Sequence, residues 1–451
     1  MHVMTLAFRP DEASPLVLSA LSGPRSAGAP DLAIDARDEM LGFLVDAFEG
    51  DRERALFQYF RSGRSIADGM FQILRWRFGD PGRVEKLLDF ASGYGRVTRF
   101  LVGEIPPERT WVADVYEGGV RFQEERFGVH GIVSRIRPED FACAERFDAI
   151  LVTSLFTHLP EERFVAWLRV LWNLLTPGGV LVFSTHSPDL LPPDAGIPES
   201  GILFEERSES GSLATSDYGS TWVTPGFVRR ALDRVAGPSA ASLHRVDRGL
   251  NNFQDLYVAV PGADEGFSGL AFRGDPLLYI ENCRLEENGR RLYLDGWAVL
   301  RDGSAETVEV LVDGEPGAAA TITGPREDVA AALGQERFVR SGWDCSFALP
   351  PGASRSSSVL ALRVVDDQGV GHLIHASSVD AALLAAAQRK IGLLGAELVQ
   401  AHARTADVQA RAAAAIEGLK TRIAAMEASR FWKMRNAWFR FKRLLGLTTE
   451  A

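Results

Sequence analysis

Val84-Glu-Lys-Leu-Leu-Asp89-Phe-Ala91-Ser92-Gly93-Tyr-Gly95-Arg96 is the stretch on which the fold turns. An apolar run closes on Asp89, a tight Gly-x-Gly turn follows, and Val97-Thr-Arg-Phe-Leu-Val predicts a helix. Strand, glycine turn and helix form the entry unit of a doubly wound α/β domain. Two glycines let a ligand approach the backbone, because no Cβ stands in the way. The acid at the strand end repels a pyrophosphate and suits a cationic or hydroxyl-bearing ligand.

Downstream segments extend the pattern. Thr110-Trp-Val-Ala-Asp114 predicts a short strand ending in a second acid, placed where such folds set a carboxylate on ribose hydroxyls. Phe147 to Ser154 predicts a later strand, with Leu155-Phe-Thr-His158-Leu-Pro160 as the loop leaving it. A helix from Glu161 to Leu175 is expected to end at Thr176-Pro-Gly-Gly179, before the strand Val180–Thr185. The ordered set resembles the class I S-adenosylmethionine-dependent methyltransferases over roughly residues 82–262, with the stretch from Asn252 through Val260 as a late strand.

The resemblance implies that Asp89, Ala91, Ser92, Gly93 and Gly95 meet the methionine end of S-adenosylmethionine. It implies further that Asp114, with Val115 beside it, holds the ribose, that Thr153 borders the site and that Asp140, in Pro138-Glu-Asp-Phe141, borders the adenine. Ser134-Arg-Ile-Arg137 occupies much of the window where the family's usual adenine-side acid would stand. A purely structural alternative makes Asp89 a helix cap and Asp114 a turn residue. Methyl transfer to a hydroxyl needs a base, and His158 is the candidate, with His186 second; an imidazole of pKa about 6.5 suits the task at neutral pH. The alternative for His158 is packing on the following helix. No grouped His, Cys, Asp or Glu spacing points to a metal.

Composition narrows the class. The chain has 451 residues, enough for about three domains. Its net charge of −11 argues against non-specific nucleic-acid binding. Three scattered cysteines, Cys143, Cys283 and Cys345, give no CxxC spacing and suit a reducing cytosol. The first residues lack the basic-then-apolar pattern of a secretory signal, and no apolar run reaches transmembrane length. The expected location is cytoplasmic, peripheral on the inner face of a bacterial plasma membrane.

Residues 1–35 are rich in Pro, Ser, Gly and Ala and are expected to be loosely ordered. Leading helices follow from about Arg37 to Phe78, punctuated at Gly50 and Gly63, and complete the methyltransferase domain, 36–262. Tyr59, Arg61 and Arg64 are weighed as acceptor contacts against ordinary packing. A Pro-, Gly- and Ser-rich insertion from Ser187 to Val223 predicts a lid or acceptor clamp, with Tyr218 and Trp222 as contact candidates. Alternating segments with Glu287-Asn-Gly, Asp313-Gly and Asp367-Gln-Gly turns predict a small all-β sandwich over 275–378. That region resembles accessory β-domains of bacterial glycan-assembly enzymes. Its His372 and His375 are isolated and are taken as packing or surface residues.

From Val379 to Ala428 there is no proline, and Leu384, Ile391 and Leu398 recur at heptad spacing. The heptad pattern breaks around Thr405, after which Leu419 and Met426 resume the seam. A coiled-coil stalk over 379–428 follows, with a homo-oligomer as its consequence; a helix folded back on its own domains is the alternative. In 429–447, Phe431, Met434, Trp438, Phe441 and Leu445 share one helical face, while Arg430, Lys433, Arg435, Arg440, Lys442 and Arg443 supply cations without a single acid. This is the signature of an interfacial helix on an anionic membrane. A docking helix for a protein partner is the alternative. Similar tails accompany bacterial cell-surface polysaccharide enzymes, which the chain resembles here.

Three functions compete. The leading one is methyl transfer to a hydroxyl of a sugar or glycan precursor. The second is a methyltransferase-like scaffold holding a glycosyltransferase partner at the membrane. The third, an NAD-dependent oxidoreductase or epimerase, meets two objections: the acid before the glycines, and Thr98 where the third glycine of Gly-x-Gly-x-x-Gly would stand.

Overall fold

The computed structural model describes residues 8–9, 13–19, 21, 30–192, 194–207, 213–262 and 266–445. Much of the N-terminal stretch, 1–7, 10–12, 20 and 22–29, therefore lies outside the described residues, as do 446 and 447 of the expected terminal helix. The chain divides into two compact units, Met1–Leu383 and Leu384–Ala451.

The first unit is built on a seven-stranded sheet. Its parallel part comprises β1 (Leu87–Phe90), β2 (Thr110–Asp114), β3 (His130–Val133), β4 (Phe147–Val152) and β5 (Leu175–Thr185). Two antiparallel strands, β8 (Ala241–Leu250) and β9 (Gln254–Pro261), finish one edge and give the order β3-β2-β1-β4-β5-β9-β8. All four residues of β1 are buried, as a central parallel strand covered on both faces requires. Strand order reverses between β1 and β4, and a crevice opens beyond the carboxyl ends of the strands at such a point. β5 begins at Leu175, so Thr176-Pro-Gly-Gly179 belongs to the strand and not to the end of a helix; a register shift between Phe147 and Ala149 accommodates it.

Helices α1 (Pro15–Ser19), α2 (Glu39–Ala47) and α3 (Arg52–Phe78) precede the sheet, and α4 (Thr98–Leu101), α5 (Glu117–Phe127), α6 (Glu161–Asn173) and α7 (Pro225–Ala236) alternate with its strands. Asp38 and Asp51 cap α2 and α3 through their carboxylates. The expected break at Gly63 does not occur: α3 runs through it for 27 residues. A Cβ at Gly63 would collide with the Arg96 carbonyl oxygen, so this glycine permits close packing instead of ending the helix. Tyr59 is buried against Asp38, Arg61 pairs with Asp275 at 3.1 Å, and Arg64 donates to the Leu21 carbonyl. All three are packing residues. Within the insertion, β6 (Ile202–Glu205) and β7 (Ser220–Val223) form a hairpin; 193 and 208–212 lie outside the described residues.

Two four-stranded antiparallel sheets form the later β-region. One has the order β10 (Leu277–Glu286), β11 (Arg291–Val299), β15 (Arg340–Ala348), β14 (Gly324–Pro325). The other runs β13 (Glu315–Thr321), β12 (Ala305–Val312), β16 (Val359–Asp366), β17 (Gly371–Ser378), and α8 (Glu327–Leu333) joins β14 to β15. The three turns predicted from Asn-Gly, Asp-Gly and Gln-Gly close the β10–β11, β12–β13 and β16–β17 hairpins. Val359, Ala361 and Ala376 of this region enter the same buried cluster as Ile66, Met70 and Leu74 of α3. Phe272 of the connecting segment joins that cluster too. The β-region and the α/β domain thus share a core, where the sequence predicted a separate module.

α9 (Val379–Ala428) spans fifty residues and α10 (Arg430–Leu444) follows, with Ser429 capping α10 through its hydroxyl at the Trp432 amide. The helix is continuous through Thr405, where the heptad pattern is interrupted. In the second unit Ile391, Leu394, Leu398, Leu419 and Met426 are exposed, as are Phe431, Met434, Trp438 and Phe441. Among the described residues no helix is long and apolar enough to cross a membrane.

Candidate active site

The carboxyl ends of β1, β2 and β4 open into a cleft of about 500 Å³, a size typical of small-molecule sites. Its polar floor comes from the motif. Asp89, Ala91, Ser92 and Gly93 line it, with Asp114 and Val115 from the end of β2 and Thr153 after β4. The turn is wound tightly: Ala91 and Gly93 both have left-handed backbones, φ 59° and 57°. A non-glycine residue in that region is strained, and strain of this kind concentrates where a ligand is held. The amides of Ala91 and Ser92 donate to the Ala113 carbonyl at 2.8 and 3.3 Å, which ties the turn to β2.

Asp114 accepts from the Gly93 amide at 2.7 Å and from the Tyr116 amide at 2.9 Å, and burial raises its pKa. It is both a turn residue and a cleft residue. Asp89 is fully buried; burial raises its pKa to about 7, opposed by a hydrogen bond from Thr98 and by the Arg96 charge. Its Oδ2 lies 2.7 Å from the Thr98 hydroxyl, while its Oδ1 has no hydrogen-bond partner among the described residues. A buried carboxylate oxygen left unmatched in a cleft is a vacancy for a ligand's donor. Apolar walls from Phe90, Leu155, Leu159 and Trp167 complete a slot suited to a flat ring.

Three sequence candidates stand outside the lining. Gly95 faces α5, where a Cβ would collide with the Phe127 ring, so its role is to let the turn seat on that helix. Asp140 is exposed in a short 3-10 turn, and the wall expected there is made by Ser134, Arg135 and Ile136. Chain length explains the shift: β3 ends at Val133, so the next three residues already hang over the cleft. His158 does not line the cleft either. Tyr218 does, and it stacks on the His158 ring with centroids 4.2 Å apart. His158 Nδ1 meets the Gly219 carbonyl at 2.7 Å, and burial lowers its pKa. His186 also lies off the wall; burial and the neighbouring His158 lower its pKa to about 4. Trp222 packs near His186, centroids 6.1 Å apart.

Sequence reasoning missed the residues at the start of α2. Arg37, Asp38, Glu39 and Met40 form part of the wall, held there by a buried arginine. Arg99 donates to the carbonyls of Asp31 and Ala33 at 2.8 and 2.9 Å and to that of Gly95 at 3.0 Å. The signal was present as a charged residue inside an apolar helix pattern, Val97-Thr-Arg-Phe-Leu.

The fold and this cleft define a doubly wound α/β domain with its ligand site at the topological switch point. Residues 87–179 match a family model described as a methyltransferase domain. No curated protein matches the chain. Among solved structures, the chain is similar to a DhpI complex with SAH at 18% identity, covering 50% of this chain and 96% of that one, with a TM-score of 0.33. It is similar to DesVI of Streptomyces venezuelae at 17% identity, covering 49% and 98%, with a TM-score of 0.34. A S-adenosylmethionine-dependent methyltransferase from Clostridium acetobutylicum shows 15% identity, coverage of 44% and 92%, and a TM-score of 0.33. The matched segment begins at β1 and carries the glycine-turn motif that shapes the cleft.

Proposed function

We propose that the protein transfers a methyl group from S-adenosylmethionine to a hydroxyl of a sugar or glycan precursor used in cell-surface polysaccharide synthesis. The observation that carries the methyltransferase part is the unmatched Oδ1 of Asp89 in a cleft whose opposite acid, Asp114, is anchored by two backbone amides. Asp89 with the Ser92–Gly93 turn would hold the amino-acid end, Asp114 the ribose, and Ser134–Ile136 with Trp167 the adenine. The cofactor would supply an electrophilic methyl on a sulfonium and depart as the neutral thioether, the acceptor's hydroxyl proton passing to solvent. The protein's part is alignment, worth up to about 10⁵–10⁸ M in effective concentration for well-oriented groups.

Tyr218 takes the acceptor-facing position in this reading, and His158 supports it from behind by stacking. The clamp is tied down by Arg163, which pairs with Asp217 at 2.7 Å and donates to the Ile136 carbonyl at 3.1 Å. One side chain thereby links the insertion to the adenine wall. The glycan part rests on the resemblance of the β-region and tail, and the hydroxyl acceptor on the same ground. The exposed aromatic and cationic face of α10 suits an anionic membrane surface, and the apolar seam of α9 suits a coiled coil between copies of the chain.

A second reading, a methyltransferase-like scaffold for a glycosyltransferase assembly, is favoured by the absence of His158 and His186 from the cleft lining. Titration of S-adenosylmethionine by calorimetry, followed by turnover screens on nucleotide sugars and lipid-linked glycans, separates the two. Binding with turnover supports the enzyme; binding without turnover of any acceptor moves the scaffold to first place.

A further inference from the structure

Two loops that lie far apart in sequence contribute opposite parts of the cleft wall. Ser134, Arg135 and Ile136 follow β3, and Leu213, Ala214, Asp217 and Tyr218 belong to the insertion. Arg163 joins them. Its Nη2 pairs with Asp217 Oδ1 at 2.7 Å, and its Nη1 donates to the Ile136 carbonyl at 3.1 Å. Arg163 stands in the first turn of α6, a helix fixed in the core by the fully buried Phe164, Leu168 and Leu171. The guanidinium thus works from a rigid base and gives one nitrogen to each wall. A planar fork can do this; the single ammonium of a lysine cannot.

Both walls are held less firmly than that base. The Ser134 amide donates to the Asp114 carbonyl at 2.8 Å, but two residues on, Ile136 is 49% exposed. In the insertion, the amides of Asp217 and Tyr218 donate to the Ala214 carbonyl at 2.9 and 3.0 Å and close one turn. From Gly219 onward the backbone is bound to the loop after β4. The Gly219 amide donates to the His158 carbonyl at 2.9 Å, and the Thr221 amide to that of Thr157 at 2.8 Å. The place of the turn before Gly219 therefore depends on the Arg163–Asp217 pair and on the stack of Tyr218 upon His158.

We propose that Arg163 is a positioning residue through which an occupied cofactor site completes the acceptor wall. This rests on the methyltransferase reading above and adds a coupling between its two ligands. A ring seated against Ser134–Ile136 covers Ile136 and restricts the carbonyl that Arg163 holds. The guanidinium is then already ordered, so its contact with Asp217 forms at a smaller entropic cost. Linkage makes the effect reciprocal: an acceptor that orders the turn tightens the cofactor by the same factor.

The test is hydrogen exchange of the full chain, with and without saturating S-adenosylhomocysteine. In the parent, the ligand is expected to slow exchange at the Asp217 and Tyr218 amides by about 5-fold or more, the lower end of coupling between sites. Arg163→Met is expected to abolish that slowing while the ligand still protects the Gly93 turn. Arg163→Lys, which keeps the charge but reaches one wall only, is expected to lose most of it. Asp217→Ala breaks the pair from the exposed side and covers the case in which methionine at 163 fails to fold. A brace that served folding alone would speed exchange at the turn equally with and without ligand. Ligand-dependent slowing that survives in the variants overturns the assignment, as does a parent protected at the Gly93 turn and not at Asp217 and Tyr218. A parent that takes up no S-adenosylhomocysteine by calorimetry overturns the methyltransferase reading instead.

Discussion

Cofactor binding should release a proton from Asp89, and the hydrogen-bond geometry says why. The Thr98 hydroxyl lies 2.7 Å from Asp89 Oδ2 and 2.7 Å from Gln123 Oε1. Gln123 is oriented by its amide nitrogen, which donates to Ser92 Oγ at 2.9 Å and to the Gly93 carbonyl at 3.0 Å, so its oxygen must face Thr98. One hydroxyl hydrogen cannot serve two acceptors. A protonated Asp89 resolves the conflict by donating to Thr98, which then donates to Gln123. The pKa of about 7 that burial gives Asp89 agrees with this chain. A cationic ligand needs the ionised form, so below pH 7 each unit should weaken its affinity about tenfold.

The sign follows from the direction of the shift. Asp89 in the free fold holds its proton between about pH 4 and about pH 7, where an unfolded aspartate has lost it, so the unliganded fold loses stability as pH rises through that window. The full effect is on the order of 4 kcal/mol, three pKa units at about 1.4 each. Binding of the cation opposes the same term and grows stronger across the same window. Calorimetry at about pH 5.5, about pH 6.5 and about pH 8, in buffers of differing ionisation enthalpy, measures both affinity and proton release. Asp89→Asn should bind weakly with no pH dependence from this site. A parent affinity that stays level from about pH 5.5 to about pH 7 would refute the reasoning.

Other expectations are simpler to check. Gly63→Ala gains about 1 kcal/mol of helix propensity but must push the Arg96 carbonyl away, which costs about 1–3 kcal/mol; thermal unfolding should show a lower midpoint, and cofactor affinity should fall with it. Tyr218→Ala should raise the acceptor KM at least several-fold and leave cofactor affinity unchanged, a split visible in steady-state kinetics against calorimetry. Deleting residues from Arg430 onward should leave cofactor affinity intact and abolish sedimentation with anionic vesicles, since each cation contributes roughly 1 kcal/mol at such a surface. Vesicle binding that survives the deletion removes the membrane role of α10.

Much of the site was legible before any tertiary information because its determinants are local. Asp89 and Asp114 stand at the carboxyl ends of strands whose apolar runs are contiguous, and the Gly93-x-Gly95 spacing marks the turn that follows the first of them. The Asp313-Gly turn shows the same economy: Asp313 and Gly314 both take left-handed backbones, φ 52° and 84°, and close the hairpin the dipeptide announces. Gly63 misled because a glycine that permits close approach looks the same in sequence as one that ends a helix. Asp140 misled because an acid in the right window was not the residue the chain brought to the cleft.

By itself the sequence determined the alternation of strand, glycine turn and helix, the two acids at strand ends, the hairpins of the β-region, and the long proline-free helix with its aromatic, cationic sequel. Those features depend on residues within a few positions of one another. Only the tertiary structure decided that Arg37–Met40 walls the cleft, that Tyr218 stands on His158, that Gly63 lets α3 pack against the Arg96 carbonyl, and that the β-region shares a core with α3. Each of these depends on residues far apart in sequence being held together by burial, and burial is a property of the packed whole.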